Sequence, residues 1–584
     1  MSERERLGWR GDRRRLVRAL VTGGLLLPAI APLPAVLGRQ PATPVALPSP
    51  NPPLELVADA GAINDGPPRE GGRLRLVRPR WPVADFNPAA FTQDFQVTAS
   101  YLDPLLRPDA LTLAPTPWLA ESWQWSRNGR TLTYSLRPDV RWHDGSPFTA
   151  ADARFSFTVY RDALDSAVRN FFSAMVEIEA PDDRTLVVTL SEPDSGWLFN
   201  ASSQPIFQRA QYLESWTARP IGERTLAGSE WEEILPLGTG PWRITDWNRT
   251  GVTLARNESY WAGAAHAADL GIEWRETAGD RLAAWEANET DVVWPVRSAE
   301  VTGLTELTGR QGRLYLAEPP SVMFAAFNFV NPTRAVPGLF DDVAVRRALS
   351  LAVDRADYAA DVFGGFVDET AAGTVAQEWA RDRSLRTPER DLSMARRLLS
   401  AAGWEDRDGD DVRENPDGLP FAITVIFQAD GRPELGRVLA SVSGDLAEIG
   451  VALTVEPLPH AEFRERWLTS RVYDLIAYNY DLYPGFTDFD LYGSAWDIRT
   501  NPQGWNPGGY ANTRADGAIA AALVAIDLED QRAALARLQR AVDDDLFALW
   551  LGFPQDLVLV GEEIGGFRPN ALWPTADTRE WWRR

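Results

Sequence analysis

The chain contains no cysteine among its 584 residues. This absence excludes disulfides, thiolate metal sites, cysteine nucleophiles and a lipid-modified cysteine anchor. Lysine is absent as well, so all 59 basic residues are arginine, and chemistry that needs a lysine Schiff base or nucleophile is excluded. The three histidines, His143, His266 and His460, stand too far apart in the sequence to form a metal-binding motif. We therefore expect neither a transition-metal centre nor a cofactor.

Positive charge is scarce outside the N-terminus. The net charge is −23, and residues 1–39 hold eight arginines against three acids, which leaves 51 basic against 79 acidic residues for the rest. A body this acidic repels nucleic-acid phosphates and anionic lipid. The composition therefore argues against a nucleic-acid partner and against binding to an anionic membrane surface.

Residues 1–39 are predicted to be an export signal or an N-terminal anchor rather than part of the fold. Arginines are followed by an uncharged, largely apolar run over residues 19–38. Residues 13–17 fit a twin-arginine export pattern loosely, and an ordinary secretory signal fits as well. Prolines at 28, 32 and 34 weaken a spanning helix, so cleavage and retention both stay open. In either case we expect the body on the periplasmic or extracellular face of the cell membrane.

The remaining chain divides into a linker and a long folded body. Residues 40–71 are rich in proline and alanine and lack apolar periodicity, which predicts a semi-extended linker. The body is expected to start at residue 72. Asn128-Gly129 predicts a hairpin turn. A strand at 421–427, a helix at 434–449 and a strand at 451–455 predict a βαβ unit, which is typical of an α/β fold.

Residues 141–162, RWHDGSPFTAADARFSFTVYRD, predict a rigid strand–turn–helix joint. Gly145 can adopt the positive φ of a tight turn. Thr149 is placed as the N-cap of the helix that follows, with Asp152 at the third helical position as in a capping box. Apolar residues one turn apart on this helix, such as Phe155 and Val159, predict a buried face.

This stretch resembles a segment of the family 5 extracellular solute-binding proteins, the oligopeptide- and dipeptide-binding components of ABC importers. Further segments that resemble the family follow in the family's order. They are residues 85–88 (DFNP), 238–242 (GTGPW), 256–261 (RNESYW), 345–355 (VRRALSLAVDR), 506–512 (NPGGYAN) and 564–570 (IGGFRPN). The resemblance covers about residues 72–584.

The resemblance implies an α/β type II periplasmic binding protein fold, with two lobes around a cleft and an extra inserted domain in the first lobe. The expected divisions are residues 72–325 for lobe 1 with its insert, 326–545 for lobe 2, and 546–584 for the return to lobe 1. It also implies a monomer without catalytic activity or cofactor. Such a protein captures a solute, most often a peptide, by hinge closure and delivers it to the permease subunits of an ABC transporter in the membrane.

Residues 473–490, YDLIAYNYDLYPGFTDFD, contain the predicted ligand site. An apolar strand over 473–480 runs into a loop, the kind of strand end at which α/β clefts form. Peptide-binding relatives carry a W-x-x-D here whose Asp holds the ligand's α-ammonium, and the counterpart is Tyr478, Asn479, Tyr480 and Asp481. Two departures are the tyrosine at 478 in place of tryptophan and the Leu-Tyr-Pro that follows Asp481. The alternative role for Asp481 is to cap the loop.

Other side chains are expected around this strand end. The stretch from Phe91 to Phe95 should face it across the cleft, and Tyr480 and Trp496 are candidate stacking walls for the ligand. Residues 406–411, DRDGDD, imitate a calcium loop but lack its glycine position and its Glu at position twelve, which favours a solvated hairpin. An oligosaccharide or other non-peptide ligand, a sensor or chaperone role, and a glycoside hydrolase are the alternative functions. No pair of carboxylates in the sequence supports the hydrolase.

Overall fold

The computed structural model describes residues 54–584 except 58–59, 80–94, 167, 226–234, 298–299, 301–303, 305–306, 308–309, 318–320, 369–374, 376–377, 430–432, 482–488, 502–503, 571 and 573–574. Its strands are β1 Leu54–Val57, β2 Arg73–Arg78, β3 Leu106–Pro108, β4 Pro115–Pro117, β5 Ala120–Trp125, β6 Thr131–Leu136, β7 Met175–Asp182, β8 Thr185–Leu190, β9 Trp242–Asn248, β10 Gly251–Arg256, β11 Asp269–Trp274, β12 Val292–Arg297, β13 Gly312–Ala317, β14 Ser321–Phe327, β15 Val367–Asp368, β16 Ala422–Gln428, β17 Ala452–Leu458, β18 Leu475–Asp481, β19 Ala548–Pro554, β20 Asp556–Gly561, β21 Ile564–Gly565 and β22 Trp582–Arg583.

Helices connect these strands and cover their sheets. They are α1 Phe95–Tyr101, α2 Ala150–Asp162, α3 Trp197–Asn200, α4 Arg209–Thr217, α5 Ala278–Glu286, α6 Val343–Ala352, α7 Arg355–Phe363, α8 Leu392–Ala401, α9 Pro433–Ala447, α10 His460–Glu465, α11 Phe489–Tyr492, α12 Thr513–Val524 and α13 Leu528–Asp544. A π-helical turn, Arg466–Ser470, continues α10. Across the described residues, none of these helices has the length and apolar character needed to cross a bilayer.

The first lobe is built on an eight-stranded mixed sheet with the order β1-β13-β20-β12-β2-β11-β10-β9. Strand β2 pairs in parallel with both β11 and β12, whereas β20 runs antiparallel between β12 and β13. A separate four-stranded antiparallel sheet, β5-β6-β8-β7, lies between β2 and β9 in the chain and carries α2. This smaller sheet forms the inserted domain of the first lobe.

The strand–turn–helix joint in the inserted domain is confirmed. Gly145 has a φ of 87°. The Thr149 amide donates to Asp152 Oδ2 at 3.0 Å, and the capping box starts α2 at Ala150. The hairpin at Asn128-Gly129 is also confirmed, since β5 and β6 pair antiparallel on either side of it.

The side chain of Asp103 connects several of the segments that resemble the family. Its side chain is fully buried and accepts hydrogen bonds from Trp118 Nε1 at 2.7 Å, Thr239 Oγ1 at 2.9 Å, and both Tyr260 Oη and Trp261 Nε1 at 3.2 Å. Burial raises the pKa of this carboxyl, while the four donors act in the opposite direction. One carboxylate therefore joins the GTGPW and RNESYW segments in the first lobe.

The second lobe is built on a six-stranded sheet with the order β15-β19-β14-β18-β16-β17. The predicted βαβ unit is confirmed, because β16 and β17 pair in parallel and α9 connects them. One face of this sheet packs with α6–α9 in a separate core that contains Met323, Ala325, Leu475 and Ala477. The opposite face, with Phe324 and Ile476, belongs to the large core that continues into the first lobe.

The chain crosses between the two sheets at two neighbouring places. Strand β13 ends the first-lobe sheet at Ala317, and β14 enters the second-lobe sheet at Ser321. The return crossing separates β19, which ends at Pro554, from β20, which begins at Asp556. The first crossing therefore lies between Ala317 and Ser321, and the second lies at Gln555. The division of the domains at 325/326 and 545/546 stays a prediction.

Residues 54–57 and 60–71, which fall within the predicted linker, pack on the first lobe. Strand β1 pairs in parallel with β13 at the edge of the sheet. The Asp65 side chain is buried and forms ion pairs with Arg313 at 3.2 Å, with Arg568 at 3.1 Å and with Arg584. The sequence pattern missed this segment because a four-residue edge strand gives almost no periodicity. Residues 1–53 lie outside the described residues, so the export signal stays a prediction.

Candidate functional site

The two central strands of the second sheet present alternate residues to the first-lobe side. Successive side chains of a strand point to opposite faces, so Ile476, Tyr478 and Tyr480 of β18 share one face. Strand β14 pairs antiparallel with β18, with Phe324 opposite Tyr478 and Ser321 opposite Asp481. The shared face therefore lies next to the first crossing between the lobes.

A cavity of about 440 Å³, including the open space at its mouth, lies on this face. An aromatic lining with few polar groups is typical of small-molecule sites. The lining comes from β14, β18, the π-helical turn, α11 and the segment 505–508. The lining residues are Phe324, Ala326, Phe327, Trp467, Tyr473, Ile476, Tyr478, Tyr480, Leu491, Trp505, Asn506, Pro507, Gly508 and Phe547.

Aromatic rings in contact with one another form one side of the cavity. The ring centroid of Trp467 lies 5.3 Å from that of Tyr478 and 5.7 Å from that of Trp505. Tyr478 and Tyr480 are 6.0 Å apart, and Phe463 stacks on Tyr478 at 5.8 Å. Tyr478, Tyr480 and Trp505 are only partly buried, so their rings can offer surface to a ligand.

The NPGGY segment forms one edge of the cavity. Hydrogen bonds within the segment and one from Phe329 hold its backbone in place. Asn506 Nδ2 donates to Tyr510 O at 2.7 Å, and the Tyr510 amide donates to Asn506 Oδ1 at 3.0 Å. The Phe329 amide donates to Gly508 O at 2.8 Å. A Cβ atom at Gly508 would lie 2.9 Å from Phe327 O, so only glycine allows this close approach. The segment is therefore a rigid cavity edge.

The structure brings two of the sequence-predicted site residues together and separates others. Tyr478 and Tyr480 line the cavity. Asn479 lies on the opposite face of β18, where its Oδ1 accepts from Ser321 Oγ at 2.7 Å. Trp496 lies in the short 3-10 helix Ser494–Trp496, partly buried, and is not among the lining residues.

The remaining predicted residues are placed only in part. The backbone of Asp481 ends β18, but its side chain lies outside the described residues. Phe95 begins α1 with its side chain likewise outside them, and Phe91 is not described at all. The roles of Asp481, Phe91 and Phe95 therefore stay predictions.

The sequence reasoning missed two tryptophans of the cavity, Trp467 and Trp505. They lie on the π-helical turn and beside the NPGGY segment, 38 positions apart in sequence. The NPGGY match was a usable signal for Trp505, since family-like segments tend to surround the cleft. No pattern marks Trp467, because a π-helical turn shifts the helical periodicity by one residue.

Next to the acidic turn at residues 406–411 lies a further carboxylate, that of Glu414. The comparison of this turn with a calcium loop did not include it. Oxygens of Asp406, Asp408, Asp410 and Glu414 lie within 4.8 Å of one another, with the aspartates exposed and Glu414 buried. Glu414 Oε2 accepts from the Arg407 amide at 2.7 Å, and Asp406 Oδ1 accepts from the Gly409 amide at 2.7 Å. These bonds hold the turn in shape, as in a solvated hairpin.

The inserted domain also contacts the second lobe directly. The Ser195 amide donates to Leu523 O at 3.1 Å, and Gln531 Nε2 donates to Ser195 O at 3.4 Å. Phe199 stacks on Trp379 with ring centroids 5.4 Å apart and planes at 11°. These contacts join the two lobes across the cleft, so the described arrangement is a closed one.

Two lobes joined by neighbouring crossings, an inserted domain and an aromatic cavity on the second-lobe sheet define a two-lobed binding-protein fold. The profile of the bacterial extracellular solute-binding proteins, family 5 middle, matches residues 114–503. The chain belongs to this family, which confirms the resemblance found in the sequence.

Individual relatives agree with this assignment. A Brucella ovis protein, named for peptide binding in an ABC transporter, is 26% identical over 369 residues, which are 63% of this chain and 65% of that protein. The match thus spans less than two thirds of that relative's length. The glutathione-binding protein GsiB of Salmonella typhimurium is 25% identical over 472 residues, 79% of this chain and 84% of GsiB.

A solved structure confirms the predicted fold class. The oligopeptide-binding protein AppA of Bacillus subtilis, in complex with a nonapeptide, matches with a TM-score of 0.66 at 20% identity. The match covers 89% of this chain and all of the AppA chain, 100%. At this identity the likeness shows the fold alone, an α/β type II binding-protein fold with two lobes.

Proposed function

We propose that this protein captures a solute between its two lobes outside the cytoplasm and delivers it to the permease of an ABC transporter. The aromatic cavity on the second-lobe sheet, next to the crossings between the lobes, carries the proposal. The cavity lies on the face of the second-lobe sheet that turns towards the first lobe, so a solute that binds there and also contacts the first lobe favours the closed form. The role is binding without catalysis, and the permease is the partner.

A peptide is the proposed solute. The names of the Brucella and Salmonella relatives refer to a peptide and to glutathione, and the AppA structure holds a nonapeptide. The outer end of β18 lies beside the cavity, and its last residue, Asp481, is proposed to bind the ligand's α-ammonium. A charge-assisted hydrogen bond between a carboxylate and an ammonium is among the stronger polar contacts.

A thermal-shift screen of the purified chain against di- to pentapeptides and oligosaccharides tests the choice of solute. A ligand at 100 times its dissociation constant should stabilise the protein by about 2.7 kcal/mol. We expect peptides to raise the melting temperature and oligosaccharides to leave it unchanged. A shift with a sugar and none with any peptide would contradict the peptide assignment and favour the oligosaccharide alternative.

The Asp481→Asn variant tests the anchor. Affinity for a free-amine peptide should fall by about tenfold or more, whereas affinity for the N-acetylated peptide should not change. Asp417→Asn is the matched control, because it removes one exposed carboxylate from a turn of the same lobe. Equal free-amine affinity in wild type and Asp481→Asn would show that Asp481 caps the loop instead.

A further inference from the structure

Polar groups without hydrogen-bond partners in the described part of the chain lie just before β18, on a cavity residue and on a near neighbour of it. Tyr473 lines the cavity and is 1% exposed, and its hydroxyl is buried without a partner in the described part of the chain. Two residues earlier, Arg471 has Nε and Nη1 buried, again with no hydrogen bond to any described residue. An unsatisfied buried donor costs free energy, so a hydrogen-bond acceptor from outside the chain would stabilise these groups.

The backbone holds both residues firmly in this position. Asn328 Nδ2 donates to Arg471 O at 3.0 Å and to Tyr473 O at 2.8 Å. Arg471 adopts a left-handed conformation with a φ of 56°, which is unfavourable for a residue with a side chain. Such strain is often found at functional sites, and here Asn328 stabilises it.

The positive charge of Arg471 is not neutralised by a neighbouring carboxylate. Asp497, the carboxylate on which its charge acts, is already bound by Arg499, with Arg499 Nε 3.0 Å from Asp497 Oδ1. No described residue forms a salt bridge with Arg471. The Tyr473 amide donates to Arg471 O at 3.2 Å, so the two residues are neighbours. Burial raises the pKa of the Tyr473 hydroxyl, and the charge of Arg471 opposes that rise.

We propose that Tyr473 and Arg471 form a hydrogen-bond-donating subsite, which binds a flat aromatic group of the solute that carries a carboxylate. The ring lies among Trp467, Tyr478 and Trp505, and the carboxylate accepts from the Tyr473 hydroxyl and faces the Arg471 guanidinium. A site built to donate hydrogen bonds rejects analogues that lack the acceptor, because its own donors then stay unpaired. This inference rests on the proposed function, since it assigns the chemistry of the captured solute.

Small probes test the subsite directly. Isothermal titration of the full chain with 3-phenylpropionate, 3-phenyl-1-propanol and hexanoate distinguishes the contribution of the aromatic ring to the affinity from that of the carboxylate. We expect the aromatic acid to bind at least tenfold more tightly than the alcohol and than the aliphatic acid. Comparable affinity for the acid and the alcohol, or no binding of the aromatic acid, would overturn the proposal.

Two variants and one control assign the effect to these residues. Tyr473→Phe should weaken 3-phenylpropionate binding by about tenfold, and it should not lower the melting temperature, because the hydroxyl it removes has no partner. Arg471→Gln should abolish the preference for the acid over the alcohol. In the control Tyr358→Phe, the lost hydroxyl donates to Leu551 O at 2.8 Å, so the melting temperature should fall while affinity is kept.

The outcomes separate this inference from the proposed function. If peptides bind in the thermal-shift screen but Tyr473→Phe leaves the affinity for 3-phenylpropionate unchanged, solute capture stands and the subsite is refuted. If the aromatic acid binds and both variants weaken it, although no peptide binds, the subsite stands and the peptide assignment falls.

Discussion

His143 gives a prediction in which the structure fixes both the sign and the size of a pH effect. The Gly238 amide donates to its Nδ1 at 3.1 Å, and its Nε2 lies 3.0 Å from Gly240 O. Because a carbonyl only accepts, Nε2 carries the proton and Nδ1 must be unprotonated. Protonation of Nδ1 would place two donors against each other. The imidazole is therefore held neutral in the folded protein.

Burial lowers the pKa of His143 from 6.5 to about 4, an effect that Arg243 supports and that the Gly240 carbonyl and Asp144 oppose. The native state thus binds fewer protons than the unfolded state between these values, so the free energy of unfolding rises with pH in this window. The contribution is complete above pH 6.5 and is lost as the pH falls towards 4. Since one pKa unit corresponds to about 1.4 kcal/mol, the contribution is about 3 kcal/mol.

The test is urea unfolding of wild type and His143→Gln between pH 4 and 7.5. Glutamine can still donate to Gly240 O but does not titrate. We expect wild type to lose about 3 kcal/mol more than the variant when the pH is lowered from 7 to 4. NMR titration is a direct check, because the chain has only three histidines. Parallel pH profiles for the two proteins, or a His143 resonance that titrates near pH 6.5, would refute the reasoning.

Two further predictions concern packing around the motifs. Asp103→Asn should destabilise the first lobe by about 2–4 kcal/mol in urea unfolding, because the amide NH2 replaces one carboxylate oxygen and turns N–H groups towards two of the four donors; an unchanged midpoint would show that these hydrogen bonds to Asp103 are dispensable. Gly508→Ala should cost about 1–3 kcal/mol, since the new methyl would press on Phe327 O, and it should weaken solute binding. The control Gly444→Ala, in helix α9 with open space around it, should be neutral or stabilising by thermal unfolding. Equal effects of the two glycine substitutions would contradict a special role for residue 508.

Local features of the fold could be predicted because their causes lie within a few residues. The Thr149–Asp152 cap and the Asn128-Gly129 hairpin depend on neighbouring atoms only, so the sequence alone specifies them. The packing of residues 54–57 and 60–71 on the first lobe could not be predicted in this way. Its strand β1 is stabilised by pairing with β13 and by arginines that come from distant parts of the chain.

The strand that carries the candidate site could be predicted from the sequence, but the lining residues on other elements could not. Strand β18 was found, but Tyr478, Asn479 and Tyr480 were grouped as one site although consecutive strand residues point to opposite faces. Taking the alternation into account would have removed Asn479. Trp467 could not have been assigned, because its place depends on a π-helical turn and on tertiary packing against Tyr478.

The central claim is that a solute closes the two lobes, and an interlobe distance tests it most directly. Asn128 is exposed at the hairpin turn and Glu529 in the first turn of α13, and these places meet in the closed arrangement, where a Cβ at Gly129 would lie 3.3 Å from Ile526. The chain has no cysteine, so Asn128→Cys and Glu529→Cys allow two spin labels to be attached selectively. Double electron–electron resonance should give a short distance with a pool of tri- to pentapeptides and a longer, broader distribution without it. An identical distribution with the peptide pool, with oligosaccharides and with no solute would contradict the claim.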